Sequence, residues 1–499
     1  MLRLCVLLCF AVASVLGSVG CGPAARAEPA VRCVGPPPHQ PGRCDVKVAG
    51  EHFAYVVDRG GTFAVILDGE EGPRFEAVWD LEVTTTGWCL YAARRDGEDI
   101  PVICGEEAAA WPPRLFGFWW ARDADRVGYV TRRGTRRHVV VNGHPSPGYD
   151  WVEPPQFSWS GHVAYVASLD RRQFVVQDGK PGRAYDLVSA LTMARATGQV
   201  WYAAWHAGSV RVVVGDVEQP ACEAIGRDSL AVTDDGRHWR YVGRRGGCSY
   251  MVVNGREGRA YAEVSTQYVA ASTDGAHLAY AALSEGGWRI VRDGVEGPAY
   301  TTVGPPVFSP DGEHLAYAAM RPGDGLIVVD GTERAAGDAP LTDRLVLGSG
   351  GRVAYGIQRG ERAVMVVDGV EGEPHDGVWK ATLGAEGRSA YVTRDRGRYR
   401  VIVDSVAGRV HDGVRDPAVF NESGSHVYYI ARDDGDEFVV LNGREDRHFR
   451  HVVRDSPRFT DAGTFDYLAF ADDGLYRVTH TLPKPAAQSD GKPPTPAES

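Results

Sequence analysis

Six histidines occupy one place in a repeated pattern: His52, His162, His238, His277, His314 and His426 each stand three residues before a tyrosine. Imidazoles at fixed spacing could serve a metal site or general-base chemistry. Elsewhere the same position holds Trp88, Arg126, Gln199, Arg352, Arg388 and Thr464. A position that accepts Arg, Gln and Thr is a strand entry beside a turn, and residues one repeat apart are too distant to share an ion. No metal ligand is assigned. The Asp-Gly turns offer carboxylates of the kind calcium takes, but their fixed hairpin positions and glycine neighbours account for them as turn chemistry. The run Phe116-Gly-Phe-Trp-Trp120 has the composition of a stacking platform for sugar or peptide. It aligns with an inner strand covered on both faces, so core packing is expected. There is no Gly-x-Ser-x-Gly elbow, no His-Glu-x-x-His and no phosphate-cradling loop before a helix. No catalytic residue and no cofactor are assigned.

The elements that position these residues follow from the tyrosines. Tyr55, Tyr91, Tyr129, Tyr165, Tyr202, Tyr241, Tyr280, Tyr317, Tyr355, Tyr391, Tyr429 and Tyr467 are separated by 36 to 39 residues. Thirteen residues after eight of them lies Asp-Gly or Asn-Gly, at Asp68, Asn142, Asp178, Asn254, Asp293, Asp330, Asp368 and Asn442. Such pairs favour tight hairpins whose two central residues both need positive φ. Around Tyr317, apolar runs at 306–309, 315–319 and 326–329 alternate with Pro310-Asp311-Gly312, Pro322-Gly323 and Asp330-Gly331. Short Val-, Ile- and Tyr-rich runs between Gly, Pro and Asp breakers are strands. The hairpin between second and third strands centres five to six residues after the tyrosine, at Gly60-Gly61, Asp96-Gly97, Gly246-Gly247, Pro322-Gly323 and Asp434-Gly435. No unit carries a competing helical period. The chain is expected to be all-β, one unit of three or four antiparallel strands copied about twelve times.

Four short strands per unit of about 40 residues are the requirement of a β-propeller blade. The segment Phe308-Ser-Pro-Asp-Gly-Glu-His-Leu-Ala-Tyr317 resembles the TolB-type, WD-repeat-like propeller repeat, with weaker echoes at 272–275, 233–236 and 158–161. The resemblance spans roughly residues 45 to 480 and implies the fold, not an activity, because such propellers serve both as binding scaffolds and as enzymes. Since a ring usually has four to eight blades, two tandem six-bladed rings are expected, 45–266 and 267–480, with one larger ring as the alternative. The last unit stops near His480 before its outer strand, and Val31–Val34 is a candidate to complete it.

Residues 1–20 read as an export signal, with Arg3 before an apolar run from Leu4 to Leu16 that is too short to span a bilayer. Ser18-Val19-Gly20-Cys21 resembles a bacterial lipobox, which makes Cys21 the expected lipidation site; Ala25-Arg26-Ala27 is the competing cleavage site for a soluble exported protein. Residues 21–44 are expected as linker and 481–499 as a disordered tail. Beyond the signal and Cys21 lie six cysteines, an even number that in an exported chain favours disulfides over metal. Cys89 and Cys104 flank the Asp96-Gly97 hairpin symmetrically and form the strongest expected bridge; Cys33 with Cys44 and Cys222 with Cys248 follow from sequence neighbourhood.

A net charge of −11, spread along the chain, argues against nucleic acid as a partner. The reading that follows is an exported, envelope-anchored scaffold that binds a protein, peptide or wall polysaccharide and contacts the membrane only through its N-terminal lipid. The alternative is a propeller enzyme, a hydrolase or lyase, whose site is built at the channel mouth from several blades.

Overall fold

The computed structural model describes residues 29–35, 46–107, 118–121, 126–337, 340–460 and 463–483. The expected signal segment, Cys21, Cys44, Phe116 and residues 484–499 lie outside them. The described residues form twelve separate antiparallel sheets of four or five strands and contain no α-helix. In blade 8 the strands are Thr302–Val303 with Val307–Phe308, then Leu315–Arg321, Asp324–Val329 and Thr332–Gly337. Tyr317 lies opposite Val328 in this sheet.

Turn chemistry sets these lengths. At the eight Asp-Gly and Asn-Gly turns the first residue has φ between 47° and 52° and the glycine between 75° and 95°, the left-handed pair that a tight hairpin demands. Cys104-Gly105 and Asp404-Ser405 adopt the same conformation.

Blade 12 is built from two ends of the chain. Its outer strand is Ala30–Gly35, which pairs antiparallel with Gly474–Thr481, Val31 opposite Val478. The stretch expected as linker therefore contains a strand, because the last sheet otherwise leaves an edge of unpaired amides and carbonyls.

The apolar core is divided among twelve clusters, one per seam between neighbouring blades. The seam between blades 6 and 7 has its own core of Val242, Met251, Tyr261, Val264 and Tyr280, so the chain does not part into two rings at residue 266. Blade 12 packs on blade 1 through Phe53, Tyr55, Ile66, Leu468, Phe470 and Leu475. Arg477 donates to the Glu51 carbonyl at 3.0 Å across this seam, and Arg458 donates to that of Gly50. Two six-bladed rings would instead seat blade 1 on blade 6. The sheets form one twelve-bladed ring, the larger-ring alternative. First strands of successive blades meet one another, as Glu263–Ala271 meets Val307–Phe308, and so form the inner layer.

The repeat tyrosines are core residues. Most are almost fully buried, and burial raises their pKa, to about 12 at Tyr429. Twenty residues after the tyrosine a second aromatic position closes the seam. Phe75 on Tyr91, Tyr185 on Tyr202, Tyr300 on Tyr317 and Phe449 on Tyr467 all make edge-on contacts, with centroids 5.9 to 6.3 Å apart.

Candidate functional site

The recurrent histidines are clamps. His52, His162, His277 and His314 each hydrogen-bond through Nδ1 to Oδ2 of the turn aspartate sixteen residues on, Asp68, Asp178, Asp293 and Asp330, at 2.6 to 2.8 Å. The other carboxylate oxygen accepts the amide of the residue after the histidine, such as Leu315 at 2.9 Å. One aspartate thus makes the turn and ties strand two to it. Arg352 and Arg388 replace the imidazole with guanidinium on Asp368 and Asp404, at 2.9 and 2.5 Å.

The same residues reach the following blade. Arg126 donates to the Gly161 carbonyl at 2.6 Å and Arg388 to that of Gly424 at 2.8 Å. His52 and His162 lie against Gly87 and Gly198 so closely that a Cβ there would sit 2.9 and 2.5 Å from the rings. These titratable groups staple seams and do not converge. No group of three or more His, Cys, Asp or Glu able to hold a metal ion is found among the described residues.

Nearer the axis a second set of staples joins inner strands. Gln156 donates to the Leu191 carbonyl at 2.7 Å, Arg344 to Val378 at 2.5 Å, and Arg415 to Val452 at 2.7 Å. Lys380, its pKa lowered by burial, donates to the carbonyls of Val414 and Arg415. On the opposite edge of the blades, Arg59–Glu71, Arg245–Glu257, Arg321–Glu333 and Arg359–Glu371 form ion pairs at 2.5 to 3.0 Å with a constant spacing of twelve.

One seam departs from this scheme. Between blades 6 and 7 a cavity of about 140 Å³ is lined by Val232, Thr233, His238, Trp239, Arg240, Val253, Ala271 and Leu278. Its origin is visible in the register. The first-strand residue opposite the second residue before each tyrosine faces the preceding blade, and in four blades it is Phe157, Phe308, Phe420 or Phe459. Phe157 fills the space over Gly128, Phe308 stacks on His277, Phe420 lies under Arg388, and Phe459 packs on Tyr428. Blade 7 has Ala271 there, the smallest side chain of the twelve.

The facing position, one before the tyrosine, is alanine in six blades: Ala54, Ala164, Ala279, Ala316, Ala354 and Ala390. In blade 6 it is Arg240, the only cation at that position in any unit. Burial lowers the Arg240 pKa, and no carboxylate among the described residues offsets it. At the same position in blade 12, by contrast, Asp466 has Arg458 at 3.3 Å. The clamp is also altered: Asn254 spends Oδ1 on the Trp239 amide, 2.8 Å, and the His238 imidazole has no hydrogen-bond partner among the described residues.

The expected sites fall as follows. Trp119 packs in the core between blades 3 and 4. Cys89 and Cys104 face one another across strands two and three of blade 2, the Cys104 amide donating to the Cys89 carbonyl at 2.8 Å. Both are thiols here. Cys89 is buried with its pKa pushed up to about 12, and Cys104 is exposed. Cys33 lies exposed on the closing strand, Cys222 is buried at the seam of blades 5 and 6, and Cys248 is exposed at a hairpin end of blade 6; all three are thiols. Reading residues singly missed the clamp and the Arg240 cavity. The clamp's signal was present as the constant sixteen-residue spacing from His or Arg to Asp. The cavity's signal was a departure, visible only after the units are aligned by strand register.

No protein-family model matches the chain, and no curated protein matches it. Solved structures that resemble it include TolB from Acinetobacter baumannii, 11% identical, covering 71% of this chain and 79% of that one, TM-score 0.21. The β-propeller domain of the Trilobed protease from Pyrococcus furiosus is 11% identical over 60% and 94% of the two chains, TM-score 0.24. The WD40 domain of Toxoplasma gondii coronin is 11% identical over 52% and 82%, TM-score 0.27. These are likenesses of fold alone: the chain resembles TolB-type and WD-repeat propellers in architecture.

Proposed function

We propose that the protein is an exported β-propeller scaffold, anchored at the bacterial envelope, that binds a protein, peptide or wall polymer. The observation that carries the reading is how the ring uses its polar residues. The repeating His, Arg and Asp side chains are bonded to one another or to the next blade's backbone, while the seam between blades 6 and 7 leaves Arg240 in an open cavity without an acceptor among the described residues. Concave, mostly apolar sites with few polar groups are where ligands bind. Export rests on the sequence of residues 1–27. Lipidation of Cys21 would hold the ring at a membrane surface, since a bacterial lipoprotein terminus carries several chains where one holds only marginally.

In an exported protein the facing cysteines of blade 2 would close as a Cys89–Cys104 disulfide. There the bond would stand where other blades have an aspartate clamp. The Cys33–Cys44 and Cys222–Cys248 pairings belong to the same proposal.

The test is affinity capture from envelope extract with the mature protein, together with the mass of its N-terminal peptide. A lipid-modified Cys21 start and a reproducible partner support the reading. An unmodified Glu28 start overturns the anchor, and failure to retain any envelope component overturns the scaffold role.

A further inference from the structure

Three departures from the repeat meet at the seam of blades 6 and 7: alanine where four blades place phenylalanine, arginine where six place alanine, and a His238 imidazole that its turn residue Asn254 does not hold, although Asn442 holds His426 at 2.9 Å in blade 11. Any one alone would be ordinary variation. Together they produce a cavity whose wall presents a guanidinium and an imidazole, both without hydrogen-bond partners among the described residues. A half-buried cation without an acceptor is unfavourable, and the six alanines show that the fold does not need it.

The rest of the wall selects the ligand. Val232, Val253, Leu278 and the Trp239 indole, itself stacked on Tyr241 at 6.2 Å, are apolar. The two carboxylates on the adjoining turn are engaged elsewhere: Asp235 is held by Thr233 Oγ1 at 2.5 Å and the Arg237 amide at 2.9 Å, and Asp234 lies 3.8 Å from Arg195 of the preceding blade. A planar guanidinium matches a carboxylate or a phosphate bidentately; the apolar wall around this single arginine favours the carboxylate, the singly charged anion that carries an apolar body. A cavity of about 150 Å³ accepts a benzene ring, and this one is about 140 Å³.

We propose that this seam binds a small apolar carboxylate, its oxygens on Arg240 and His238 and its apolar body against Trp239 and Leu278. The proposal rests on the reading of the ring as a binding scaffold and names what one site takes. Two sources share the chemistry: a free aryl or branched-chain acid, and the C-terminal residue of a peptide.

The experiment is calorimetric titration of the full mature protein, with tryptophan fluorescence in parallel, using benzoate, benzamide, inorganic phosphate and the tripeptide Gly-Gly-Phe. Saturable binding of benzoate or the tripeptide is expected, weakened about tenfold or more in Arg240→Ala, in line with loss of a charge-assisted pair. Benzamide should not bind. Because alanine is the residue six blades already use, Arg240→Ala should fold, and its melting curve checks this. Tighter binding of the tripeptide assigns a peptide end; tighter binding of benzoate assigns a free acid. No saturable binding of either, equal binding by Arg240→Ala, or phosphate binding tighter than benzoate overturns the proposal. Capture of one envelope partner equally by wild type and Arg240→Ala would overturn this site and leave the scaffold reading standing.

Discussion

The seam of blades 7 and 8 and the seam of blades 6 and 7 are built from the same template with opposite results. At the first, Phe308 from blade 8 lies against His277 and Arg292, His277 is clamped by Asp293, and Ala279 leaves room. At the second, Ala271 leaves the space empty, His238 is unclamped, and Arg240 projects into the gap. In a repeat protein each unit answers mainly to its neighbours. A blade can therefore give up one seam's packing without unfolding the ring. The difference teaches where to look for function in such a chain: at positions where several departures from the repeat share one seam.

The largest expected effect breaks the ordinary seam. Tyr317→Ala removes a buried ring that packs on Tyr300, and should cost about 3–5 kcal/mol in denaturant unfolding. A loss below about 1 kcal/mol would mean that the aromatic pairs do not hold the seams.

Asp330→Ala comes next. It strips the acceptor from His314 and from the Leu315 amide, and leaves a non-glycine residue at φ 48° with only its backbone bond to Leu315. The expected cost is about 1–3 kcal/mol. Asn254→Ala, at the unclamped seam, removes the single amide bond shown for it and should cost less. Equal losses would erase the distinction between the two clamps.

Acid should act on the clamped seams of blades 9 to 12. Burial pushes the carboxyls of Asp395, Asp433 and Asp446 up, but hydrogen bonds from His375, His411 and His480, joined by backbone amides and neighbouring positive charge, together outweigh it and hold all three below the ordinary value. A folded pKa below the unfolded one contributes stability above the unfolded value and loses it as pH falls through the folded value. The melting temperature should be steady above about pH 5 and fall below about pH 4. Asp433→Asn should lower stability at neutral pH and flatten the acid slope, and Arg240→Ala should leave that slope unchanged. An unaltered slope in Asp433→Asn would remove this role from the His411–Asp433 pair.

The smallest effect on stability sharpens the comparison most. Ala271→Phe gives the open seam the residue that four blades already carry, so its unfolding free energy should change by less than about 1.5 kcal/mol. Carboxylate binding should be lost.

The period, the strand boundaries and the turns were legible because Asp-Gly and Asn-Gly leave a local mark: both central residues need left-handed backbone, and the sequence shows it directly. The structural role of the histidines was legible for a related reason, since their position tolerates Arg and Gln. Ring closure was not. Whether blade 6 turns back to blade 1 or continues to blade 7 depends on small rotations at each seam, which residues such as Tyr261 and Val264 do not spell out. The cavity was hidden because Arg240 and Ala271 lie 31 positions apart on separate sheets; only the packing of blade 7 on blade 6 brings both to one wall.

The most direct test is a crystal structure of the mature protein grown with benzoate. The expected result is twelve blades in one ring, with the benzoate carboxylate at about 3 Å from the Arg240 guanidinium in the seam of blades 6 and 7. Arg240 paired with a carboxylate of the protein itself, and the seam closed over an empty space, would contradict it.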